Sequence, residues 1–456
     1  MKVVFVISEA ENYAVMYFSS LLKKQGHEVY LIIDPRLFAN DEINNRLGKW
    51  FDMRQHNVEK IKEIKPDLIA FSVYTQDYKW ALSMARTIKS SMDARIVFGG
   101  VHCVLCPEEV IKEDCIDWVC ASEGEDVIVD LVNNLDTPPG ILVQEQLTNL
   151  ETLPLPDRSL FYDQYPLFKH GLTIATSRGC PYRCTYCASE ALNELYNHKY
   201  LRQRSVDSVI GELYVCQERY KSGHVHFTDD NIVLNTNWLR DFTRDYKRFI
   251  NLPFFCTCNP GTVSDTQVIL LKEAGCQLVG FGMQSCDEAV RLEILQRPGT
   301  NKHIREITQL CHSIGLNFSF DHIFNLPTET LNQQYAAIYF YSTTRPVFVN
   351  TFDLIYLPKT KLTKQMLKGD STADSRTSMY STTNNRFASI FALIPFLPKR
   401  VIGYISRNLD ISFPFWFRLL LKDLARARIG RWSDIFFPLQ LLLTNVSKIT
   451  KEKYGI

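Results

Sequence analysis

The first apolar run of this 456-residue chain, Val3 to Ile7, is not followed by Gly-x-Gly-x-x-Gly, which argues against a nicotinamide-binding domain. No run of about 18 consecutive apolar residues occurs, so no transmembrane helix is expected. An excess of charge is also missing: 51 basic against 50 acidic residues leave no global field for nucleic acid or acidic substrates. The start of the chain lacks the apolar core of a signal peptide, and its 13 cysteines are an odd number. Reduced thiols in a cytoplasmic protein are therefore expected. The length allows two or three domains, and 46% hydrophobic residues is ordinary for a globular chain.

What is present is concentrated between Gly171 and Ser189. There Cys180, Cys184 and Cys187 fall in the spacing C-x3-C-x2-C, behind an apolar run, Leu172 to Ala175, that reads as a buried strand. Gly179 and Pro181 bend the backbone beside the first cysteine. Three thiolates are one short of the four that usually hold a [4Fe-4S] cluster or a structural zinc, which leaves one metal position open. This loop, with Tyr186 before its third cysteine, resembles the signature loop of the radical S-adenosylmethionine (radical SAM) superfamily. The resemblance implies a [4Fe-4S] cluster that binds SAM at its open iron.

Ahead of the loop, the runs Val3 to Ile7, Glu28 to Ile33, Asp67 to Val73, Arg95 to Phe98 and Asp117 to Cys120 alternate with stretches long enough for helices. Such alternation predicts a parallel sheet covered on both faces, with ligands at the carboxyl ends of the strands. The tips there include Ser72, the pair Gly99-Gly100 with His102, and Glu123-Gly124. These segments resemble the cobalamin-binding domain that precedes many radical SAM domains, and the resemblance makes Ser72, Gly99, Gly100, His102, Glu123 and Gly124 cofactor contacts. The motif D-x-H-x-x-G, by which other cobalamin proteins replace the cofactor's base with histidine, is absent, as it commonly is in the radical SAM-linked branch. Cys115 and Cys120 read as buried small hydrophobes, while Cys103 and Cys106 follow the strand-tip histidine and are held in reserve.

After the loop, strands are expected at His224 to Thr228, Pro253 to Cys258, Leu278 to Met283, Asn317 to Ile323 and Phe348 to Ile355. With the strand before the cysteines they make six β/α units, a partial barrel whose reactive face lies at the carboxyl ends of the strands. By the same resemblance Asp230, with Asp229 as second choice, lies near the amino group of SAM, and Gln284 contacts its ribose or amino acid portion. Arg297 is left unassigned. Asn325 takes the place of glycine in a turn resembling G-L-P-x-E-T and should tolerate its positive φ.

The resulting expectation is an α/β chain in four parts. They are a Rossmann-like (flavodoxin-like) cobalamin-binding domain over 1–135, a linker over 136–168, a partial (β/α)6 radical SAM barrel over 169–365 and a helical region over 366–456. The resemblance implies an enzyme using a [4Fe-4S] cluster, SAM and cobalamin to methylate an unactivated carbon or phosphorus centre. Ring formation or rearrangement without methylation, and a non-enzymatic iron-sulfur redox protein, are the alternatives. Partners would be a small-molecule or lipid-like substrate and an electron donor such as flavodoxin or ferredoxin, with no nucleic acid. From about Arg386 onward twelve Lys or Arg stand against four Asp or Glu, interleaved with Phe, Leu, Ile and Trp416. That segment is expected to close the barrel's open side or to rest on the inner face of a membrane as a peripheral contact.

Overall fold

The computed structural model describes residues 1–8, 11–36, 51–366 and 385–429. The first half opens with β1 (Lys2–Ser8), α1 (Tyr13–Lys24), β2 (Glu28–Asp34), α2 (Arg54–Ile64), β3 (Leu68–Ser72) and α3 (Tyr78–Ser91). It continues with β4 (Ile96–Gly99), β5 (Trp118–Cys120), α4 (Glu125–Asn133) and β6 (Gly140–Leu142). All six strands are parallel, in the order β2-β1-β3-β4-β5-β6. The strands are apolar because both of their faces are buried. Val4, Val6, Ile69 and Phe98 pack toward α2 and α3, whereas Val3, Phe5, Ile7 and Val97 pack toward α1 and α4. The order reverses between β1 and β3, which opens a crevice at the carboxyl ends of the central strands.

The segment expected to be a mere connection, 136–168, does more than connect. It supplies β6, which pairs with β5, and its Leu160, Phe161, Tyr162, Tyr165 and Phe168 complete the apolar core beneath α1 and α4. A three-residue edge strand bounded by Pro139, with no alternation of its own, leaves no periodic trace in the sequence.

The second half contains β7 (Gly171–Ile174), α5 (Ala188–Leu195), α6 (Val206–Tyr220), β8 (His224–Phe227), α7 (Thr236–Phe249) and β9 (Phe254–Cys258). After these come α8 (Asp265–Ala274), β10 (Cys276–Gln284), α9 (Asn301–Ser313), β11 (Asn317–Phe324), α10 (Leu331–Thr344) and β12 (Val349–Asp353). Its strands are again parallel and in strict order, β12-β11-β10-β9-β8-β7, so the barrel is open between β7 and β12. Asn325 does adopt a positive φ of 61°, with its amide donating to Asp353 at 2.8 Å.

After a short helix over Lys361–Met366, the described residues continue with α11 (Asn385–Leu393), α12 (Lys399–Asn408) and α13 (Phe415–Ala427). Phe387, Ile390, Phe391, Ile402 and Ile405 join the barrel's outer core, and the Phe391 ring stacks on Phe324 at 5.6 Å. Ala425 of α13 packs with Leu278 and Phe348, which places this helix beside the edge strand β12. The cap half of the expectation thus has a structural basis over 385–429, and the remainder of the C-terminal segment lies outside the described residues.

One buried polar knot ties the two halves together. Glu212 on α6 accepts from Arg158 at 2.7 Å, from Arg204 at 2.7 Å and from the Tyr13 hydroxyl of α1 at 2.6 Å. Arg158 and Glu212 are both almost wholly buried. Removing Arg158 leaves Glu212 with Arg204 as its remaining cation but one charge-assisted hydrogen bond short, a loss of about 1.5–3 kcal/mol. We therefore expect Arg158→Met to lower the thermal midpoint of the apoprotein by several degrees, while Lys23→Met, in the exposed pair with Asp157, leaves it nearly unchanged. Scanning calorimetry of the two variants would check this.

Candidate functional site

The cysteine loop begins where β7 ends, and a carboxylate fixes it there. Asp229, buried after β8, accepts from the Thr176 amide at 3.0 Å, from the Thr176 hydroxyl at 2.8 Å and from the Ser177 hydroxyl at 2.5 Å. Gly179 then turns the chain with φ +88°, and a side chain there would press on the Leu201 backbone at about 3.1 Å. On its far side the loop is held by Thr185, whose amide donates to Leu295 at 3.0 Å and whose hydroxyl donates to Ile294 at 2.7 Å.

Cys184 is buried, while Cys180 and Cys187 are the only cysteines of the chain that are not fully buried. Burial, and next the charge of Asp230, push Cys187 up; burial carries Cys180 up to about 12, with Asp230 adding to it. Thiolates in this loop therefore need positive charge close by. Arg297 offers some of it: its Nη1 lies 3.6 Å from Cys184 Sγ, while its Nε donates to the Gly282 carbonyl at 2.6 Å. Among the described residues no three His, Cys, Asp or Glu side chains converge as a single metal ion requires. A [4Fe-4S] cluster asks for something different, since each thiolate binds a separate iron and the irons bring the missing positive charge. Three thiols in one anchored loop, Cys180, Cys184 and Cys187, fit such a cluster.

The neighbouring carboxylates divide their tasks. Asp229 is consumed by the hydrogen bonds that hold the loop. Asp230 is exposed, accepts from the Ser189 hydroxyl at 2.6 Å and directs its charge at Cys180 and Cys187. Gln284 ends β10 at a bulge, with φ +67°. Beside it Gly282 must stay small, because a Cβ there would lie 2.6 Å from Arg297 Nη2 and 3.0 Å from Gln284 Nε2. Asp230 thus meets the loop through Ser189, while Gln284 ends the strand beside Arg297.

Across from the loop, a cavity of about 450 Å³ opens at the strand tips of the first half. Ser72, Gly99, Gly100, Glu123 and Gly124 all line it. Phe5, Phe18, Ala70, Ile128 and Leu131 give it apolar lining from the first half, and the barrel half adds Arg178, Leu192, Tyr196, Tyr200 and Thr228. Gly100 has φ +95°, and a Cβ would collide with the Val73 amide at 2.6 Å; at Gly124 it would meet the Phe18 ring at 2.7 Å. Both glycines are demanded by the close packing of the chain itself at these strand tips. An apolar lining edged by Ser72, Glu123 and Arg178 fits a corrinoid, whose largely apolar body carries a rim of amides.

Two expected contacts behave differently. His102 is absent from the cavity lining: its ring packs on Tyr78 at 4.3 Å, its Nδ1 lies 3.1 Å from the Thr75 hydroxyl, and burial brings its pKa down to about 4. It is a neutral residue of the loop interior. Glu123 does line the cavity, yet its carboxylate is occupied by Arg178 at 2.8 Å and by Arg202 at 2.5 and 3.0 Å. Cys103 and Cys106 are buried in the core of the first half with strongly raised pKa values, as small hydrophobes are. Sequence reasoning left Arg297 unassigned and missed Arg178 and Arg202. Only the position of Arg178, two residues before Cys180, offered a signal.

Comparison with known proteins agrees with both halves of this geometry. The profile of the Radical SAM superfamily matches residues 174–337, and that of the B12 binding domain matches residues 6–132. An uncharacterized methyltransferase of Pyrococcus horikoshii is 25% identical over 394 residues, 80% of this chain and 82% of its own. The cytidylyl-2-hydroxyethylphosphonate methyltransferase of Streptomyces wedmorensis is 22% identical, over 68% of each chain. Among solved structures, the radical S-adenosylmethionine methyltransferase TsrM of Kitasatospora setae, with tryptophan and a SAM analogue bound, superposes with a TM-score of 0.63 at 18% identity. It covers 81% of this chain and 76% of its own. The same protein with cobalamin and a [4Fe-4S] cluster gives 0.60.

Anaerobic reconstitution is expected to load about four irons per chain. Cys184→Ala should lose most of them. Arg297→Met should keep the iron but shift the cluster's reduction potential downward, because a cation beside Cys184 favours the more negative reduced state. Iron analysis and a redox titration followed by electron paramagnetic resonance would check both outcomes; an unshifted potential in Arg297→Met would remove this residue from the site.

Proposed function

From a chain that joins a B12-binding domain to a radical SAM domain, we propose an enzyme that methylates an unactivated carbon or phosphorus centre of a small molecule. Its cofactors are a [4Fe-4S] cluster, SAM and cobalamin. The observation that carries this reading is the meeting of two sites: the cavity at the strand tips of the first half is also lined by Arg178, two residues before Cys180, and by Thr228 of the barrel. When bound, the cluster supplies the electron that cleaves SAM to a 5'-deoxyadenosyl radical, and the corrinoid carries the methyl group.

The chain's own residues place these groups and keep water out. Cys180, Cys184 and Cys187 hold the cluster. Asp230 accepts hydrogen bonds from the amino group of SAM, and Gln284, which cannot act as a base, binds the ribose or amino acid portion. Asp229 contributes by fixing the loop. Gly99 and Gly100 line the cavity that would take the corrinoid, and Ser72 and the backbone around Gly124 would meet its polar rim. The methyltransferase relatives favour methylation over ring closure. An electron donor of the flavodoxin or ferredoxin kind would supply the reducing equivalents.

The substrate class has a second pointer in the cap. No helix among the described residues is long and apolar enough to cross a membrane. Yet α12 turns Ile402 and Ile405 inward and leaves Val401 and Tyr404 at the surface, next to exposed Lys399, Arg400 and Arg407. Apolar groups among cations suit an anionic lipid surface, where each basic residue adds roughly 1 kcal/mol. We read this face as a peripheral membrane contact that would serve a lipid-like substrate.

Two measurements test these assignments. With the protein reduced and loaded, SAM should yield both 5'-deoxyadenosine and S-adenosylhomocysteine, the latter only when corrinoid is present; absence of the latter would leave a cobalamin-free radical SAM reaction. Asp230→Ala should cut 5'-deoxyadenosine about tenfold with an unchanged cluster spectrum, the cost of one charge-assisted hydrogen bond. For the cap, flotation with anionic liposomes should carry the protein at low salt and release it at high salt. A folded, iron-loaded protein that never floats would end the membrane reading.

A further inference from the structure

The strand tip of the first half and the cysteine loop of the second do not merely face each other. They are joined by charge. Ser177–Arg178, just ahead of Cys180, pairs antiparallel with Arg202–Gln203, and the register sets Arg178 directly opposite Arg202. Two guanidinium groups at such a pair repel unless anions lie between them. The anions come from the other half. Glu123 accepts from Arg178 at 2.8 Å and from both terminal nitrogens of Arg202, and Arg178 also donates to Glu125 at 2.5 Å. The carboxylate side chains are 6% and 4% exposed, so the pairs lie largely out of solvent, where geometry is strongly enforced.

Each arm of this cluster is rigid in its own right. On the barrel side, Thr176 and Ser177 are locked by Asp229, and Gly179 makes the turn, so Arg178 and Cys180 move as one piece. On the other side, Thr148 donates its amide to Glu123 at 2.7 Å and receives Arg202 at its carbonyl at 2.5 Å. The Glu123 amide donates to the Tyr196 hydroxyl at 3.1 Å, and Tyr196 stacks on Tyr200, whose ring lies 5.4 Å from the Arg202 guanidinium. Glu123, Glu125, Arg178, Tyr196 and Tyr200 are also walls of the 450 Å³ cavity.

We infer that Arg178 and Arg202, through Glu123 and Glu125, form a spacer that sets the distance and angle between the corrinoid cavity and the iron-sulfur loop. They are positioning residues: they act through the two loops they join. The inference rests on the cofactor reading given under Proposed function. Methyl transfer to a substrate radical tolerates little error in placement, and a misplacement of about 1 Å costs on the order of a hundredfold in rate. A spacer built from paired charges on two anchored loops supplies that tolerance without touching either cofactor's metal.

The test needs no substrate for its first readout. In the reduced holoprotein, cob(II)alamin and the one-electron-reduced cluster are both paramagnetic, so their spin–spin interaction reports their separation. Arg202→Met and the milder Glu123→Gln, each loaded with iron and corrinoid, should keep the iron content of the parent chain but show a shifted or broadened interaction. Arg178→Lys, which retains one charged contact, should lie between them and the parent. Once a substrate is in hand, the same variants should form about tenfold more 5'-deoxyadenosine per methyl transferred. A spin–spin interaction identical to the parent's in Glu123→Gln and Arg202→Met, with only a lowered thermal midpoint, would reduce the cluster to ordinary packing and overturn the inference. A parent protein that retains iron but no corrinoid would instead overturn the cofactor reading, and the spacer with it.

Discussion

A buried carboxylate has to be met by a cation or a set of donors, and in this chain that requirement decides how the two sheets stand. Glu212 on the barrel draws Arg158 and Tyr13 from the first half, while Glu123 and Glu125 on the first half draw Arg178 and Arg202 from the barrel. The traffic runs in both directions. Glu212 keeps Arg204 of its own half as a second cation, whereas Glu123 and Glu125 draw their cations from the barrel, so the interface is specified by electrostatics as well as by apolar area. Everything about the site follows from this mutual dependence, because the cavity and the cysteine loop belong to different halves.

Most of the architecture was legible because parallel strands buried on both faces write themselves as unbroken apolar runs. The eleven segments read as strands correspond to β1 through β5 and β7 through β12, with ends shifted by a few residues. β6 escaped because three residues at a sheet edge carry no pattern. The three cysteines of the loop stood out by their spacing, and their reading as cluster ligands came from the resemblance of the whole loop. The arginines did not stand out, since a charged residue on a short ribbon looks in sequence like any solvated one, and only the fold reveals that its partner lies about fifty or eighty positions away. His102 misled for the opposite reason: a histidine at a strand tip suggests a cofactor contact, yet its ring packs on Tyr78 within the domain.

The adjacent pair Asp229 and Asp230 shows where sequence alone loses resolution. Successive residues after a strand point to opposite sides, so one carboxylate faces the protein and the next faces the opening. Nothing in the order of two identical letters says which is which. The structure assigns the inward one to the Thr176 and Ser177 hydroxyls, a choice that also fixes the loop before any cofactor arrives. Preorganisation of this kind means that the ordering of the cysteines is settled during folding, and binding need not pay for it.

The distribution of the thirteen cysteine sulfurs has a consequence for the life of the protein in air. All but Cys180 and Cys187 are sealed in the interior. A reagent that attacks thiols therefore meets the chain first at those two atoms, and injury begins at the cysteine loop while the buried thiols are spared. A molecule damaged this way keeps its shape. It can in principle be mended by fresh iron and reductant without being unfolded, so that the fold outlives many generations of the inorganic part it was built to hold.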